Sequence, residues 1–419
     1  MTSIRHAALA ITLLLAATAA QSQPIDPKVQ ARIDRILKRT PLIDGHNDLP
    51  WELRENHGSR VEGLEGGGAA REKPVMTDLA RLRAGRVGGQ FWSVYITGTI
   101  TGDAALRAVI EQIDTARRLI EAYPKHLELA STADDVMRIH RSGKIASMLG
   151  MEGGRGIAGL MPALRQFYNL GVRYMTLTHN QTTEWADSAT DEPKYQGVSP
   201  FGAQVIAEMN RLGMLLDLSH VSPDSMKDAL ELSRAPVIFS HSNAFTRNPH
   251  PRNVPDDVLR LLPANGGVVM VNFYPVFLSA AVREWAVRRS MEETRLKAYN
   301  PFSTKAVEDG LKRWEAAYPR PPVPVSTVAD HIEHIARIAG HDHVGIGGDL
   351  DGVPYTAVGL ESVAGYPLLF AELIRRGWSD RNLAKLAGGN VLRVMRRAEA
   401  VAASMKNQPP SLAVIEPTG

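Results

Sequence analysis

The chain has 419 residues, of which 44% are apolar and 22% charged, with a formal net charge of +3. This balance is ordinary for a folded soluble protein, and the length fits one barrel-sized domain with insertions or two smaller domains. The sequence has no lysine/arginine block and no basic stripe interleaved with aromatic residues, so it does not indicate nucleic acid as a partner. The lack of cysteine excludes disulfides, thiolate ligands and a cysteine nucleophile.

The N-terminus has the pattern of a secretory signal. A basic start is followed by the uncharged run Ala7–Ala20, which is too short to span a bilayer comfortably and contains the cleavage-type sequence Ala17-Thr18-Ala19. Residues 1–20 are therefore predicted to be a signal peptide rather than a buried first helix. The mature chain is expected to be exported, periplasmic or secreted, without a membrane anchor and with a flexible polar tail over 406–419.

Eight short apolar runs follow, separated by stretches with the periodicity of amphipathic helices. The runs are Pro41–Asp48, Gly89–Thr97, Ile145–Gly153, Val172–Asn180, Gly213–His220, Ala235–Ser242, Gly266–Tyr274 and Val344–Gly352. Strand–helix alternation with short connections predicts a parallel sheet. Eight repeats favour a single α/β domain over residues 25–405, a closed (β/α)8 barrel of the TIM type, over a doubly wound open sheet.

Six of these runs have a histidine or a carboxylate at or near their C-terminal end. The first ends in a His-x-Asp pair, whose side chains point the same way in an extended strand. Catalytic groups of such barrels collect at the C-terminal ends of the strands. Burying histidines with carboxylates is costly unless they pair or bind a metal, so a metal site is predicted there. The strand-end residues are His46, Asp48, Glu152, His179, His220, His241 and Asp349.

Other histidines lack this placement. His343 stands at the start of the last strand, which is the wrong end for a barrel active site. His331 and His334 have i, i+3 spacing on a helix with apolar neighbours and could imitate a metal pair. Packing of that helix against the barrel, or a surface role, is the favoured interpretation.

Seven motifs, in chain order, resemble those of the membrane (renal) dipeptidase family, peptidase family M19. They are His46-Asn47-Asp48, Gly150-Met151-Glu152-Gly153, Leu177-Thr178-His179-Asn180, Asp217-Leu218-Ser219-His220, Phe239-Ser240-His241-Ser242, Arg252-Asn253-Val254-Pro255-Asp256 and Gly347-Gly348-Asp349-Leu350-Asp351-Gly352. The resemblance runs from about residue 35 to about residue 400. It implies a metal-dependent hydrolase-like barrel that hydrolyses dipeptides with a free C-terminal carboxylate and tolerates a D-residue at that position.

The same resemblance implies a binuclear zinc centre. His46 and Asp48 would bind one zinc, His220 and His241 the second, and Glu152 would bridge both. One shared carboxylate reduces the repulsion between two cations, which suits Glu152 better than a neutral ligand. Two zinc ions about 3.5–4 Å apart hold a bridging hydroxide that attacks the scissile carbonyl, which they also polarise.

Four further residues would handle the substrate. By the resemblance, His179 faces the substrate carbonyl and can stabilise the oxyanion, and Arg252 binds the C-terminal carboxylate bidentately. Asp349 would move the proton from the attacking water to the leaving amine. Asp351 competes with Asp349 for this role, because it lies two residues on, but Asp349 ends the apolar run. Tyr274 lines the pocket or packs as an ordinary aromatic residue.

Several alternatives stay open at this level. Without the resemblance, an ion pair with Asp256 or Asp257 explains Arg252 equally well. A charged insertion at about 278–325 reads as two helices and a proline-rich exit, compatible with a lid, a homodimer contact or a passively packed excursion. Two other functions compete with a dipeptidase. One is that of another binuclear amidohydrolase, such as an N-acyl-amino-acid deacylase or lactonase; the other is that of a non-catalytic exported zinc-binding protein. The zinc-binding protein would not need Asp349.

Overall fold

The computed structural model describes residues 24–415, so the predicted signal peptide lies outside the described residues. Within this range the sheet has nine strands, and every pairing between them is parallel. The strands are β1 (Leu42–Asn47), β2 (Val87–Tyr95), β3 (Leu127–Leu129), β4 (Ile145–Glu152), β5 (Val172–Thr176), β6 (Leu215–Asp217), β7 (Ile238–Phe239), β8 (Val268–Val271) and β9 (Val344–Ile346).

The sheet closes on itself. The strand order is β2-β1-β9-β8-β7-β6-β5-β4-β3, and an additional pairing joins β2 to β4. Eight strands therefore form a ring, which confirms the predicted (β/α)8 barrel and rejects the open sheet. Strand β3 was not predicted. It pairs with the first residues of β4, from Ile145 to Ser147, and lies outside the ring.

Helices surround the barrel, and most of them connect consecutive strands. Serine side chains cap the helices that begin with Pro200 and Pro223, as the Ser-Pro sequences predict. The helices are α1 (Pro27–Arg39), α2 (Leu49–His57), α3 (Leu79–Ala84), α4 (Gly102–Ala122), α5 (Ala133–Arg141), α6 (Met161–Asn169), α7 (Pro200–Leu212), α8 (Pro223–Leu232), α9 (Asp256–Leu259), α10 (Leu262–Asn265), α11 (Pro275–Leu278), α12 (Ala280–Tyr299), α13 (Thr304–Ala317), α14 (Val325–Ala339), α15 (Tyr366–Arg375), α16 (Asp380–Ala384) and α17 (Asn390–Ser404), with a π-helix at Lys385–Gly389.

The predicted insertion is present as α12 and α13. The two helices share a small core of their own, formed by Leu296, Val307 and Leu311. The described part of the predicted C-terminal tail lies along the barrel, where Val414 pairs with Leu160. No helix among residues 24–415 is long and apolar enough to cross a membrane.

The strands are shorter than predicted at the ends that matter for function. Ladder pairing stops at Thr176, Asp217 and Ile346, and the polar residues that follow stand in loops. His220 and Asp349 have φ angles of 70° and 60°, a left-handed conformation that non-glycine residues seldom adopt. Such strain is tolerated where the surrounding fold fixes a side chain for function.

Candidate metal centre and active site

The predicted strand-end residues converge at the C-terminal end of the barrel. The ligand atoms form three overlapping buried groups, and within each group they lie within 4.8 Å of one another. The groups are His46, Asp48 and Glu152; Glu152, His220 and His241; and His46, His241 and Asp349.

Glu152 lies between two pairs of candidate metal ligands, His46 with Asp48 and His220 with His241. Its Oε1 lies 2.9 Å from His220 Nε2 and 3.3 Å from His241 Nε2. Its Oε2 lies 3.4 Å from His46 Nε2, which is itself 3.2 Å from Asp48 Oδ2. One carboxylate thus presents a separate oxygen to each pair.

The ring of His46 is oriented by a residue that sequence reasoning missed. Its Nδ1 lies 2.7 Å from the hydroxyl of Tyr174, and that hydroxyl donates to the carbonyl of Gly45 at 3.2 Å. Because the hydroxyl proton is committed to Gly45, the hydroxyl accepts from Nδ1–H of His46. The lone pair of Nε2 then faces the cluster, where this atom is buried without a hydrogen-bond partner.

A second set of supporting residues orients His241. Its Nδ1 lies 2.8 Å from Ser240 Oγ, which donates to Asp217 Oδ2 at 2.6 Å. His241 Nε2 therefore also carries a lone pair, and it lies 2.9 Å from His220 Nε2. Two imidazole nitrogens and a carboxylate oxygen this close together suit a divalent cation between them.

The charge states of these residues favour metal binding. Burial alone would raise the pKa of Glu152, but His46, His179 and the two hydrogen-bonded histidines hold it well below its usual value. Burial holds the pKa values of His220 and His241 well below normal. An ionised carboxylate and neutral imidazoles are the forms that bind metals.

His46 departs from that pattern. Burial lowers its pKa, but the neighbouring Tyr174, Asp48 and Glu152 outweigh burial and raise the pKa well above its usual value. These surroundings favour a positive charge at the Nε2 position. A bound metal cation would supply that charge in place of a proton.

The structure brings Asp349 to the site and leaves Asp351 outside it. Asp349 lines the cavity beside the cluster, and its Oδ2 accepts a hydrogen bond from Asn272 Nδ2 at 2.7 Å. Burial raises the pKa of Asp349 to about 8. Asp351 instead accepts from the backbone N–H of Met76. Both aspartates have positive φ angles, so the assumption of an extended strand with both side chains on one side was wrong.

Asp351 provides a pH test of stability. Burial raises its folded-state pKa to about 7, above the ~3.9 of an unfolded aspartate. Its stabilising contribution is thus complete below about pH 4 and is lost as pH rises to about 7. We expect the unfolding free energy of Asp351→Asn, relative to the natural chain, to increase over that interval, as measured by urea denaturation at about pH 4 and about pH 8. An unchanged difference would contradict the shifted pKa.

Gly352 is required for close packing around two site carboxylates. A Cβ at this position would lie 2.1 Å from Asp48 Oδ2 and 2.8 Å from Asp349 Oδ1. We expect Gly352→Ala to displace both groups and to lower turnover about 100-fold, since small misplacements in a site have effects of this size. Kinetics and metal analysis would measure this. Gly66→Ala is the control, because its Cβ would approach no atom closer than 3.5 Å; equal losses in both variants would contradict the prediction.

The cavity above the cluster has a volume of about 450 Å³. Its lining includes the predicted substrate residues His179, Arg252 and Tyr274, and also Trp51 and Tyr95, which the sequence did not indicate. The lining is Asp48, Trp51, Tyr95, Thr97, Glu152, His179, Asn180, His220, His241, Arg252, Tyr274, Phe277, Asp349, Gly352, Val353 and Pro354.

Arg252 has unused hydrogen-bond donors. It is 2% exposed, its Nε and Nη1 are buried without partners, and its Nη2 reaches only the carbonyl of His241 at 3.4 Å. The ion pair considered as an alternative is absent among the described residues. Asp256 pairs with His334 at 2.7 Å and Asp257 with Lys227 at 2.8 Å. A buried guanidinium without an acid partner indicates an anionic ligand.

Two histidines that the sequence placed away from the active site, His331 and His343, have packing contacts. His331 accepts from the backbone N–H of Ala244 and its Nε2 lies 3.2 Å from the carbonyl of Leu278. His343 Nδ1 contacts the carbonyl of Gly267 at 2.7 Å, at the other end of the barrel. These contacts account for both buried rings without a metal.

Comparisons with known proteins match the chain to dipeptidases. The sequence pattern of the membrane dipeptidase family (peptidase family M19) matches residues 30–409. The chain is 41% identical over 383 residues to dipeptidase verJ of Clonostachys rogersoniana, covering 89% of this chain and 88% of that protein.

Two solved structures are also similar. The probable dipeptidase PvdM from Pseudomonas aeruginosa shares the fold, with a TM-score of 0.75, 22% identity and coverage of 90% of this chain and 99% of that one. A metallopeptidase from Rhodobacter sphaeroides, bound to a phosphinate mimic of the dipeptide L-Ala-D-Ala, has a TM-score of 0.69, 25% identity and coverage of 86% and 99%.

Proposed function

The chain belongs to the membrane dipeptidase family, peptidase family M19, and from this premise we propose that it is a zinc-dependent dipeptidase for substrates with a free C-terminal carboxylate. The observation that carries the proposal is the position of Glu152, with one oxygen toward each donor pair, in a cavity that also contains Arg252 and Asp349. A metal centre, a proton carrier and a carboxylate-binding group thus line one cavity of about 450 Å³, large enough for a dipeptide.

The donor set fits two zinc ions. His46 and Asp48 would hold one, His220 and His241 the other, and Glu152 both, since imidazole nitrogen and carboxylate oxygen are common zinc ligands. Bound zinc would polarise the scissile carbonyl and lower the pKa of a bound water. Tyr174 and Ser240 would keep the ring nitrogens of His46 and His241 aimed at the ions.

The remaining residues bind the substrate and move protons. Arg252 clamps the terminal carboxylate with its unused Nε and Nη1 donors. His179, whose pKa burial lowers, is neutral and donates a hydrogen bond to the carbonyl oxygen as charge develops there. Asp349, held by Asn272, accepts a proton from the attacking water and delivers it to the leaving amine.

Tolerance of a D-residue at the C-terminal position is part of the proposal. The Rhodobacter sphaeroides peptidase holds a mimic of L-Ala-D-Ala and covers 86% of this chain at 25% identity.

The decisive experiment compares an L-Xaa-D-Xaa dipeptide with the same dipeptide amidated at its C-terminus. We expect zinc-dependent hydrolysis of the free acid, lost with a chelator and restored by zinc, and at least ~100-fold slower cleavage of the amide, because its amide cannot form the charged bidentate pair. Arg252→Lys should lower kcat/KM for the free acid about 100-fold, since lysine lacks the planar fork, and leave zinc content unchanged.

Other outcomes would change the assignment. Equal cleavage of acid and amide would retain metal hydrolysis and reject the Arg252 clamp. If neither were cleaved while zinc was bound, N-acyl amino acids and lactones would be tested next. Failure of these substrates as well would favour a zinc-binding protein.

A further inference from the structure

A row of aromatic rings leads from the active-site cavity to the insertion. Phe277 and Tyr274 line the cavity with ring centroids 5.0 Å apart, and Tyr274 lies 5.3 Å from Tyr355. Tyr355 also contacts Trp285 of α12, at 6.3 Å. The insertion therefore contacts Tyr355, which packs against the cavity-lining Tyr274 from outside the cavity.

An arginine stands at each end of this row. The guanidinium of Arg252 lies 5.3 Å from the Phe277 ring centroid. The guanidinium of Arg320, from the proline-rich exit Pro319-Arg320-Pro321-Pro322, lies 3.5 Å from the ring centroid of Tyr355. Flanking prolines fix the backbone that presents Arg320.

Arg320 has no polar partner among residues 24–415. It forms no side-chain hydrogen bond and no ion pair, and its Nη1 is buried. Stacking on Tyr355 satisfies the face of the guanidinium but none of its N–H donors. A half-buried cation in this state favours a carboxylate as its ligand.

The charges around the cavity are segregated. Asp48, Glu152 and Asp349 lie at the metal end. The cavity wall formed by Phe277 and Tyr274 continues outside the cavity to Tyr355, and Arg252 and Arg320, which have no acidic partner among the described residues, contact Phe277 and Tyr355. A dipeptide held by Arg252 would lie with its C-terminal side chain along this wall.

We propose that Arg320 makes the enzyme selective for dipeptides whose C-terminal residue has an acidic side chain. This inference rests on the proposed dipeptidase function: Arg252 binds the α-carboxylate, and Arg320 attracts the second carboxylate. Arg320 is not on the cavity lining but stacks on Tyr355, which contacts the lining residue Tyr274. A glutamate side chain, longer by one methylene, therefore benefits more than an aspartate.

The test measures kcat/KM for Ala-Glu against Ala-Gln and Ala-Asp against Ala-Asn, with both configurations of the C-terminal residue. Each pair has nearly equal shape and differs in charge. We expect the natural enzyme to prefer Ala-Glu over Ala-Gln about 10-fold, as the attraction between unlike charges several ångströms apart near a protein surface can provide, with a smaller preference for Ala-Asp. Arg320→Gln should abolish the preference and leave kcat/KM for Ala-Gln within about two-fold of the natural enzyme.

Arg295→Gln is the matched control, because it removes the same charge from an exposed site in the insertion, where Arg295 pairs with Glu292. It should retain the preference for Ala-Glu. Equal cleavage of Ala-Glu and Ala-Gln by the natural enzyme would overturn the proposal. So would retention of the preference in Arg320→Gln, or an equal loss on every dipeptide, which would indicate a structural role. If no dipeptide were cleaved, the proposed function itself would fail.

Discussion

Replacing Asp349 by asparagine is expected to lower kcat by about 10²- to 10⁴-fold, the range of general acid–base catalysis, while zinc content stays the same. The asparagine side chain has the same shape and can still hydrogen-bond to Asn272, but it cannot accept and return a proton. Steady-state kinetics and metal analysis on the same sample would measure both quantities.

Asp351→Asn is the matched control, because it makes the same chemical change two residues away, at a side chain that does not line the cavity. It should retain turnover. A loss of zinc in Asp349→Asn would show that this carboxylate is a metal ligand, as its proximity to His46 and His241 allows. Loss of turnover in Asp351→Asn alone would reverse the assignment.

Glu152→Gln should remove the metal centre. A neutral amide cannot offset the repulsion between two cations, and its nitrogen is no ligand, so one oxygen of the bridge is lost. We expect zinc affinity to fall on the order of 100-fold or more, beyond the 10- to 100-fold effect of an outer-shell partner, with turnover lost at ordinary zinc concentrations. Zinc titration against a competing chelator would measure the affinity.

Glu128→Gln is a suitable control for this variant. Glu128 lies on β3, where it pairs with Arg138 and Lys144 away from the cavity. Its zinc affinity should equal that of the natural chain. Two tightly bound zinc ions in Glu152→Gln would reject the bridging role.

The local pattern of the sequence was sufficient to predict the barrel. Apolar runs alternating with amphipathic stretches predict strands and helices, because side-chain periodicity depends only on near neighbours in the chain. Short connections then favour parallel strands. The pattern did not determine where each helix begins and ends. Val254–Leu262 has the periodicity of one helix, but the structure forms two short ones, α9 and α10.

Residue types at the strand ends likewise predicted the cluster of candidate metal ligands. His46 and Glu152 lie at the ends of β1 and β4, and His220 and His241 follow β6 and β7. A closed parallel ring brings all such ends together. The packing of His331 also followed from its position on a helix with apolar neighbours, and the position of His343 at a strand start placed it away from the active site. These conclusions required only the topology.

The tertiary structure decided what depends on contacts between distant segments. Tyr174 supports His46, and Asn272 supports Asp349, across separations of 128 and 77 residues. The choice between Asp349 and Asp351 depended on two left-handed backbone angles and on which carboxylate the loop turns into the cavity. Periodicity determines which face of an element is buried, whereas strand register, loop conformation and barrel closure determine which side chains meet.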